Sequence, residues 1–280
     1  MAVTIILADS KAYKENSTIN YKGDIRMRKE TIPGRNNYNI ACLHNITGKE
    51  KLAVIISHGF GSSKESPAAI AMAEALSARG IGAFAYDFPG HGESPVDGEM
   101  LRIDNCLDDL AAVEEHVGSL APGAKIMYFS SSFGAYINLI YLAKRSHQGR
   151  KSFLRAAAVN MPGIFKCGET PELTKQLNER GYFILDEDYL RPLKITKEFC
   201  DDLEAHDVFS LYKPGIIKST AEISMIHGDA DETAFFDDAR RFAALTGAKL
   251  TVVEGGSHRL MEPEQMELVL KTAIDFFSES

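Results

Sequence analysis

The sequence lacks an apolar run long enough to cross a lipid bilayer. Its first ten residues are apolar for only a few positions and contain no basic residue. A signal peptide begins with basic residues and has a longer apolar centre, and a membrane-spanning helix needs about 20 consecutive apolar residues. We therefore predict a cytoplasmic protein without stable membrane insertion.

Basic residues are not concentrated anywhere in the chain. There are 31 Lys and Arg residues against 39 Asp and Glu residues, which gives a formal net charge of −8, and the basic ones are scattered. Proteins that bind nucleic acid normally carry a basic stripe or patch. The sequence therefore predicts no nucleic-acid partner.

Cysteine is scarce, and its spacing contains no metal-binding or redox motif. The four cysteines are Cys42, Cys106, Cys167 and Cys200; no two of them form a C-x-x-C pair, and none has a His at the spacing of a zinc site. Widely spaced cysteines in a chain of this size are typical of free thiols in a reducing compartment. We predict four free thiols and no metal site.

The sequence does contain an alternation of strand-like and helix-like segments along its 280 residues. Apolar runs such as Leu52–Ser57 are typical of strands buried on both faces, and amphipathic stretches lie between these runs. The alternation predicts right-handed crossovers and a mainly parallel sheet flanked by helices, an α/β fold. A turn at Pro33-Gly34 between strands at 24–32 and 39–44 predicts a preceding antiparallel hairpin. Further strands are predicted at 81–86, 124–129, 154–160, 221–226 and 249–253, and helices at 67–79, 103–117, 133–145, 233–245 and 263–277.

The alternation stops between residues 162 and 215. Short helices are predicted at Pro171–Arg180 and within 196–211, and we interpret this stretch as a cap inserted over one end of the sheet. The chain would then consist of a core, 1–161 and 216–280, and a cap, 162–215. The cap's acidic residues favour a neutral or apolar substrate over an anionic one. Its aromatic residues either line a substrate pocket or form the cap's own core: Phe165, Tyr182, Phe183, Tyr189 and Phe199.

Residues 126–136 read as an apolar strand that passes at once into a helix. Such a sharp corner needs small residues two positions before and after it, which is the physical basis of the G-x-S-x-G motif around a nucleophilic serine. Ser132 has Ser130 and Gly134 at these positions. Free N–H groups at the start of the helix would favour a developing negative charge there. Ser132 is therefore the candidate nucleophile, and the alternative is that it only caps the helix.

Two later strands also end in residues suited to catalysis. Residues 227–232 (His-Gly-Asp-Ala-Asp-Glu) follow one strand, and residues 254–259 (Glu-Gly-Gly-Ser-His-Arg) follow another. Sites in open α/β sheets form outside the carboxyl ends of the strands, and a nucleophilic serine needs a base and a carboxylate that orients it. His258 is the candidate base, and the candidate carboxylates are Asp229, Asp231 and Glu232.

These motifs together resemble α/β-hydrolase fold proteins of the esterase/lipase branch, from about residue 25 onward. The matching segments are 58–61 (His-Gly-Phe-Gly), 87–94 (Asp-Phe-Pro-Gly-His-Gly-Glu-Ser), the corner at Ser132, 227–231 and 256–258. The order Ser132, Asp231, His258 is the chain order of the triad in that family. The resemblance implies that Asp231 is the triad acid and His258 the base. It also implies that the backbone N–H groups of Phe60 and Phe133 form the oxyanion hole.

The inserted cap and the His-Gly-Phe-Gly segment are most similar to small bacterial cinnamoyl/feruloyl-type esterases. The resemblance implies a serine hydrolase that cleaves small-molecule carboxylic esters with small to medium or aromatic acyl groups, through an acyl-enzyme and without a cofactor. Dehalogenase and epoxide-hydrolase chemistry is disfavoured, because in those enzymes the corner between strand and helix carries a nucleophilic Asp and here it carries Ser132. An acyl-peptidase or thioesterase with the same triad, and a non-catalytic ligand receptor on the same fold, are the alternatives. A homodimer is left open.

Overall fold

The computed structural model describes residues 27–167, 169–186, 189–214 and 221–279. Their strands form a sheet of eight and a sheet of two. The strands are β1 (Arg28–Pro33), β2 (Asn39–His44), β3 (Leu52–Ser57), β4 (Gly82–Tyr86), β5 (Lys125–Ser131), β6 (Lys151–Arg155), β7 (Tyr182–Leu185), β8 (Leu193–Thr196), β9 (Glu222–Gly228) and β10 (Lys249–Val253). The α-helices are α1 (Pro67–Ser77), α2 (Ile103–Leu120), α3 (Phe133–Lys144), α4 (Met161–Phe165), α5 (Pro171–Arg180), α6 (Lys197–Ala205), α7 (Val208–Leu211), α8 (Phe236–Thr246) and α9 (Pro263–Ser278).

The large sheet has the strand order β1-β2-β4-β3-β5-β6-β9-β10. β1 and β2 form an antiparallel hairpin, β2 is antiparallel to β4, and all the other pairs are parallel. The predicted hairpin and mainly parallel sheet are therefore confirmed, although residues 24–26 of the predicted first strand lie outside the described residues. Because the parallel strands run in one direction, the carboxyl ends of β3, β5, β6, β9 and β10 meet at one edge.

Alternate side chains of the central strands enter two separate cores. Ile126 and Tyr128 of β5 belong to the core that contains α2 and α3, whereas Met127 and Phe129 belong to the core that contains α1 and α9. Burial on both faces explains why these strands are apolar throughout rather than alternating. In the described part of the chain, no helix combines the length and apolar composition that a bilayer crossing requires.

The chain between β6 and β9 forms α4 to α7 and the β7–β8 hairpin. The helices predicted at Pro171–Arg180 and within 196–211 are thus present. This insertion is attached to the start of α2, where Nε and Nη2 of Arg102 donate to the two carboxylate oxygens of Asp202 at 2.6 and 2.8 Å. Asp202 also accepts the N–H of Ile103 at 3.1 Å. The division of the chain into core and cap domains remains a prediction, and its second boundary lies in residues 215–220, outside the described residues.

The predicted strand at 154–160 has the wrong bounds, because β6 ends at Arg155 and Ala156 turns into the left-handed region with φ 45°. The strand's first residues are polar but buried. Nζ of Lys151 donates to the carbonyl oxygen of Phe276 at 2.7 Å, and Oγ of Ser152 donates to Oδ1 of Asn138 at 2.6 Å. Because these partners are distant in sequence, the hydropathy pattern does not show that the polar residues are buried. It therefore places the strand on the apolar residues that follow.

The prediction of four free thiols is wrong for two cysteines. Cys167 and Cys200 form a disulfide with their Cα atoms 5.8 Å apart, whereas Cys42 and Cys106 are free and buried. The bond joins the end of α4 to α6 across a sequence separation of 33 residues. The fold of the insertion brings the two cysteines together, and their spacing alone contains no sign of this.

Candidate active site

Ser132 lies at the corner between β5 and α3, in a strained backbone conformation with φ 50° and ψ −114°. A Cβ atom on Gly134 would lie only 2.5 Å from the carbonyl oxygen of His58, so the helix can approach β3 closely only with glycine at this position. Ser130, which replaces the first glycine of the motif, is fully buried. Non-glycine residues with positive φ are uncommon and mark positions that the surrounding fold holds in place.

The structure brings the three predicted triad residues together. Nε2 of His258 lies 2.9 Å from Oγ of Ser132, and Nδ1 of His258 lies 2.8 Å from Oδ2 of Asp231. Because a carboxylate only accepts, Nδ1 carries the proton, and Nε2 is left with a lone pair facing the serine hydroxyl. Within the described residues, Asp231 is the only one of the three candidate carboxylates in contact with His258. Asp229 instead accepts the N–H of Gly255 at 2.7 Å and joins two loops.

The carboxylate of Asp231 is fully buried and surrounded by donors. Oδ1 accepts the N–H groups of Thr233 and Ala234 at 2.9 and 2.8 Å. Nε2 of His227 lies 3.0 Å from Oδ2. Burial by itself would raise the pKa of Asp231, but the hydrogen bonds from His227 and His258 outweigh burial and hold that pKa well below its ordinary value. Asp231 is therefore ionised at neutral pH.

The two predicted oxyanion donors lie on either side of Ser132. Phe133 is the first residue of α3, so its N–H has no acceptor inside the helix. Phe60 lines the cleft beside Ser132, and a Cβ atom on the preceding Gly59 would lie 3.4 Å from the Cβ of Ser132. Both N–H groups thus belong to peptide units adjacent to the serine side chain.

His58 holds the peptide group of Phe60. The N–H of Phe88 donates to Nε2 of His58 at 3.2 Å, so Nδ1 carries the proton and donates to the carbonyl oxygen of Gly59 at 2.7 Å. That carbonyl and the N–H of Phe60 belong to one planar peptide unit, and fixing one end fixes the other. Burial lowers the pKa of His58 to about 4. The imidazole is therefore neutral at physiological pH, as this pair of hydrogen bonds requires.

A charge cluster around the buried Lys64 supports the same loop. Lys64 is 1% exposed, and its Nζ lies 2.9 Å from Oδ2 of Asp87 and 2.7 Å from Oε2 of Glu93. Oδ1 of Asp87 accepts the backbone N–H of Lys64 at 2.7 Å. Burial would lower the pKa of Lys64, but the two carboxylates raise it. Sequence reasoning missed Lys64, because a single lysine in a loop gives no sign that it is buried.

The cleft in front of Ser132 has a volume of about 110 Å³. On the same measure, a cavity that holds one water molecule has a volume of roughly 10–15 Å³. The cleft therefore has room for an acyl group of several carbon atoms. Of the predicted cap aromatics, Tyr189 lines the cleft. The rings of Phe165 and Phe199 pack against the ring of Phe60 at centroid distances of 5.0 and 6.1 Å. These two rings form a wall behind one oxyanion donor, next to the Cys167–Cys200 bond.

Comparison with known proteins agrees with this architecture. The serine aminopeptidase S33 family matches residues 48–186, and no curated protein matches the chain. A putative hydrolase from Agrobacterium vitis S4 has a TM-score of 0.76 at 23% identity, covering 92% of this chain and 100% of that one. Est1E from Butyrivibrio proteoclasticus, solved with ferulic acid bound, has a TM-score of 0.74 at 20% identity, covering 88% and 97%. Mouse alpha/beta hydrolase domain-containing protein 10 has a TM-score of 0.69 at 20% identity, covering 89% and 98%. The chain is an α/β-hydrolase-fold protein, as its motifs suggested, and its family match is to hydrolases.

Proposed function

We propose that this α/β-hydrolase-fold protein is a serine hydrolase that cleaves carboxylic esters through a triad of Ser132, His258 and Asp231. The observation that carries the proposal is the continuous hydrogen-bonded line from Oδ2 of Asp231 through both nitrogens of His258 to Oγ of Ser132. A serine that only caps a helix has no need of a positive φ or of an imidazole held in one tautomer. Nucleophilic catalysis needs an imidazole held in this way, and a strained strand-to-helix turn exposes the nucleophilic serine of an α/β-hydrolase sheet.

The first half of the reaction forms an acyl-enzyme. Oγ of Ser132 attacks the ester carbonyl carbon while its proton passes to Nε2 of His258. The ionised Asp231 holds Nδ1–H and stabilises the imidazolium. The N–H groups of Phe60 and Phe133 donate to the oxyanion, and His258 then gives its proton to the departing alkoxide oxygen.

The second half releases the acid. A water in the place of the alcohol gives a proton to Nε2 of His258 as its oxygen attacks the acyl carbon. The second tetrahedral intermediate then collapses, and Ser132 recovers its proton from His258. No step requires a group other than these side chains and backbone donors.

A peptidase that removes N-terminal residues is the second candidate, because the matching family is named for serine aminopeptidases. Such an enzyme must bind the substrate's ammonium group, and a carboxylate is the usual partner for it. Among the described residues that line the cleft, none is Asp or Glu. This composition favours an ester over a peptide with a free amino group.

The proposal is tested by labelling with a fluorophosphonate probe and by turnover of p-nitrophenyl acetate, p-nitrophenyl octanoate, methyl ferulate and leucine p-nitroanilide. We expect the wild type to label at Ser132 and to hydrolyse at least one ester much faster than the anilide, with Ser132→Ala losing both. Labelling of Ser132 without turnover of any acyl substrate would favour the non-catalytic receptor. Faster turnover of the anilide would favour the aminopeptidase.

A further inference from the structure

In the described part of the chain, the charged side chains that line the cleft of Ser132 are of one sign. Arg155 and Arg259 line it together with His258, and the described lining residues include no Asp or Glu. The whole chain has a formal net charge of −8, so a described lining with two arginines and no carboxylate differs from the protein's overall balance. Clefts lined by one sign of charge concentrate ligands of the opposite sign.

Arg155 is fixed close to the reacting serine. It is the last residue of β6 and pairs with Ser131 in β5, and its carbonyl oxygen accepts the N–H of Ser132 at 3.0 Å. Its side chain lines the cleft although the residue is only 7% exposed. Backbone pairing on both sides of the corner therefore fixes the backbone of Arg155 next to Ser132.

Arg259 supplies a second positive charge from the loop that follows β10. It directly follows His258 and is half-buried at the cleft wall. Both arginines make further contacts within the protein. A guanidinium has five N–H donors in a planar fork, so an engaged arginine still offers donors to a carboxylate.

Neutral donors on the cleft wall favour the same ligand. The lining residues include Ser62, Ser66 and Thr233, and Ser66 to Ala68 begin helix α1 there. The N-terminus of an 11-residue helix adds a partial positive charge. None of the described acidic residues of the insertion lines the cleft, and Glu187 and Asp188 lie outside the described residues. The expectation of a neutral substrate rested on the acidic residues of the insertion.

We propose that the ester cleaved at Ser132 carries a carboxylate, bound by Arg155 with the help of Arg259. This inference rests on the proposed function and names its substrate class: a half-ester of a dicarboxylic acid, or an ester of a hydroxy acid. In the first the carboxylate is on the acyl side, and in the second it is on the alcohol side. The remaining wall is apolar, with Met161, Ile164 and Leu190, so it receives the carbon chain between the ester and the carboxylate.

The test compares kcat/KM for matched esters in the whole protein, followed by pH-stat. Methyl hexanoate is the neutral reference, monomethyl adipate has a carboxylate on the acyl side, hexanoylglycolate has one on the alcohol side, and methyl aminocaproate has an ammonium group. We expect one of the two anionic esters to exceed methyl hexanoate by about tenfold or more, since charge-assisted bonds to a carboxylate are of that strength. The cationic ester is expected to be the slowest.

Variants assign the preference to the two arginines. In Arg155→Met and Arg259→Met, the ratio of anionic to neutral kcat/KM is expected to fall toward one, and Arg155→Lys should retain part of it. Arg240→Met removes an exposed arginine that pairs with Asp237 on α8 and should leave the ratio as in the wild type. Active-site titration with the fluorophosphonate counts folded enzyme in each preparation.

Each result decides between two claims. If the wild type prefers methyl hexanoate to both anionic esters, the carboxylate proposal is overturned while the ester-hydrolase proposal stands. If both Met variants keep the anionic preference, the assignment to Arg155 and Arg259 is overturned. If the wild type cleaves no ester and Ser132 does not label, the proposed function itself fails and this inference fails with it.

Discussion

His227 and His258 contact the same oxygen of one buried carboxylate. Nε2 of His227 lies 3.0 Å from Oδ2 of Asp231, and Nδ1 of His258 lies 2.8 Å from it. His227 is completely buried, and its Nε2 also lies 2.7 Å from the carbonyl oxygen of Ala234. Since both partners are acceptors, Nε2 of His227 is a donor. The negative charge of Asp231 is therefore stabilised by two imidazole N–H groups, one from His227 and one from the proposed catalytic base His258.

Replacement of His227 should therefore shift the pH dependence of catalysis. In His227→Leu the carboxylate of Asp231 loses one donor, so its charge acts more fully on His258 and stabilises the imidazolium. We expect the acid limb of the kcat/KM profile to move to higher pH. His227→Gln, whose amide can donate from a similar position, should restore the limb. An acid limb that stays in place in His227→Leu would mean that His227 supports only the loop.

His58 should affect the transition state more than substrate binding. His58→Leu removes the donor that fixes the Gly59–Phe60 peptide, so the N–H of Phe60 loses its orientation toward the oxyanion. We expect kcat to fall by about tenfold or more with little change in KM, because such donors act on charge that develops in the transition state. His58→Asn can still donate to the carbonyl of Gly59 and should recover most of the rate. A rise in KM at constant kcat would contradict this role.

The Cys167–Cys200 bond should stabilise the insertion and, through it, the oxyanion loop. The disulfide closes a loop with a sequence separation of 33 residues, which contributes roughly 3.5–4 kcal/mol in the chain-entropy account. We expect reductant to lower the thermal midpoint of the wild type and to lower kcat, because Phe165 and Phe199 flank the bond and pack on Phe60. The double variant Cys167→Ser, Cys200→Ser should not respond to reductant.

Thiol counting checks the same bond directly. Denatured, unreduced protein should react with two equivalents of an alkylating reagent, at Cys42 and Cys106, and with four after reduction. Four reactive thiols before reduction would contradict the disulfide and restore the interpretation from the sequence.

Asp109 on α2 should make stability depend on pH. It is fully buried, and burial raises its pKa from 3.8 to about 7, although the hydrogen bond from the hydroxyl of Tyr38 opposes the shift. Between about pH 4 and 7, Asp109 is therefore protonated in the folded state and ionised in the unfolded state. Stability contributed by the neutral form is lost as pH rises through that window.

Asp109→Asn removes this titration. Between pH 5 and 7.5 the wild type should lose about 1–3 kcal/mol more unfolding free energy than the variant, measured by urea denaturation at both pH values. Asp231 adds nothing in this range because its pKa is held well below it. Equal losses in the two proteins would show that Asp109 is ionised when folded.

The relative positions of the proposed triad could be predicted from the sequence because they follow from strand direction. Ser132, Asp231 and His258 each come just after an apolar strand, and parallel strands bring such ends to one edge. The choice of Asp231 over Asp229 came from the family resemblance. The contact with His258 in the structure agrees with that choice.

The supporting residues could not be predicted because each depends on a partner far away in the chain. Lys64 pairs with Asp87 and Glu93, Lys151 with the end of α9, and Cys167 with Cys200. A hydropathy scale predicts that a lysine is exposed. In the fold, Lys64 and Lys151 have acceptors that compensate the loss of hydration on burial. Periodicity describes local structure, and these residues are buried by tertiary contacts.

The most direct test of the central claim is mass spectrometry of rapidly quenched enzyme during turnover of p-nitrophenyl octanoate, or of whichever ester proves fastest. The account predicts an added acyl mass on the peptide that contains Ser132, formed before steady state and accumulating further when deacylation is slowed at acid pH. Ester hydrolysis that continues in Ser132→Ala, or that never shows an acyl group on this peptide, would contradict it.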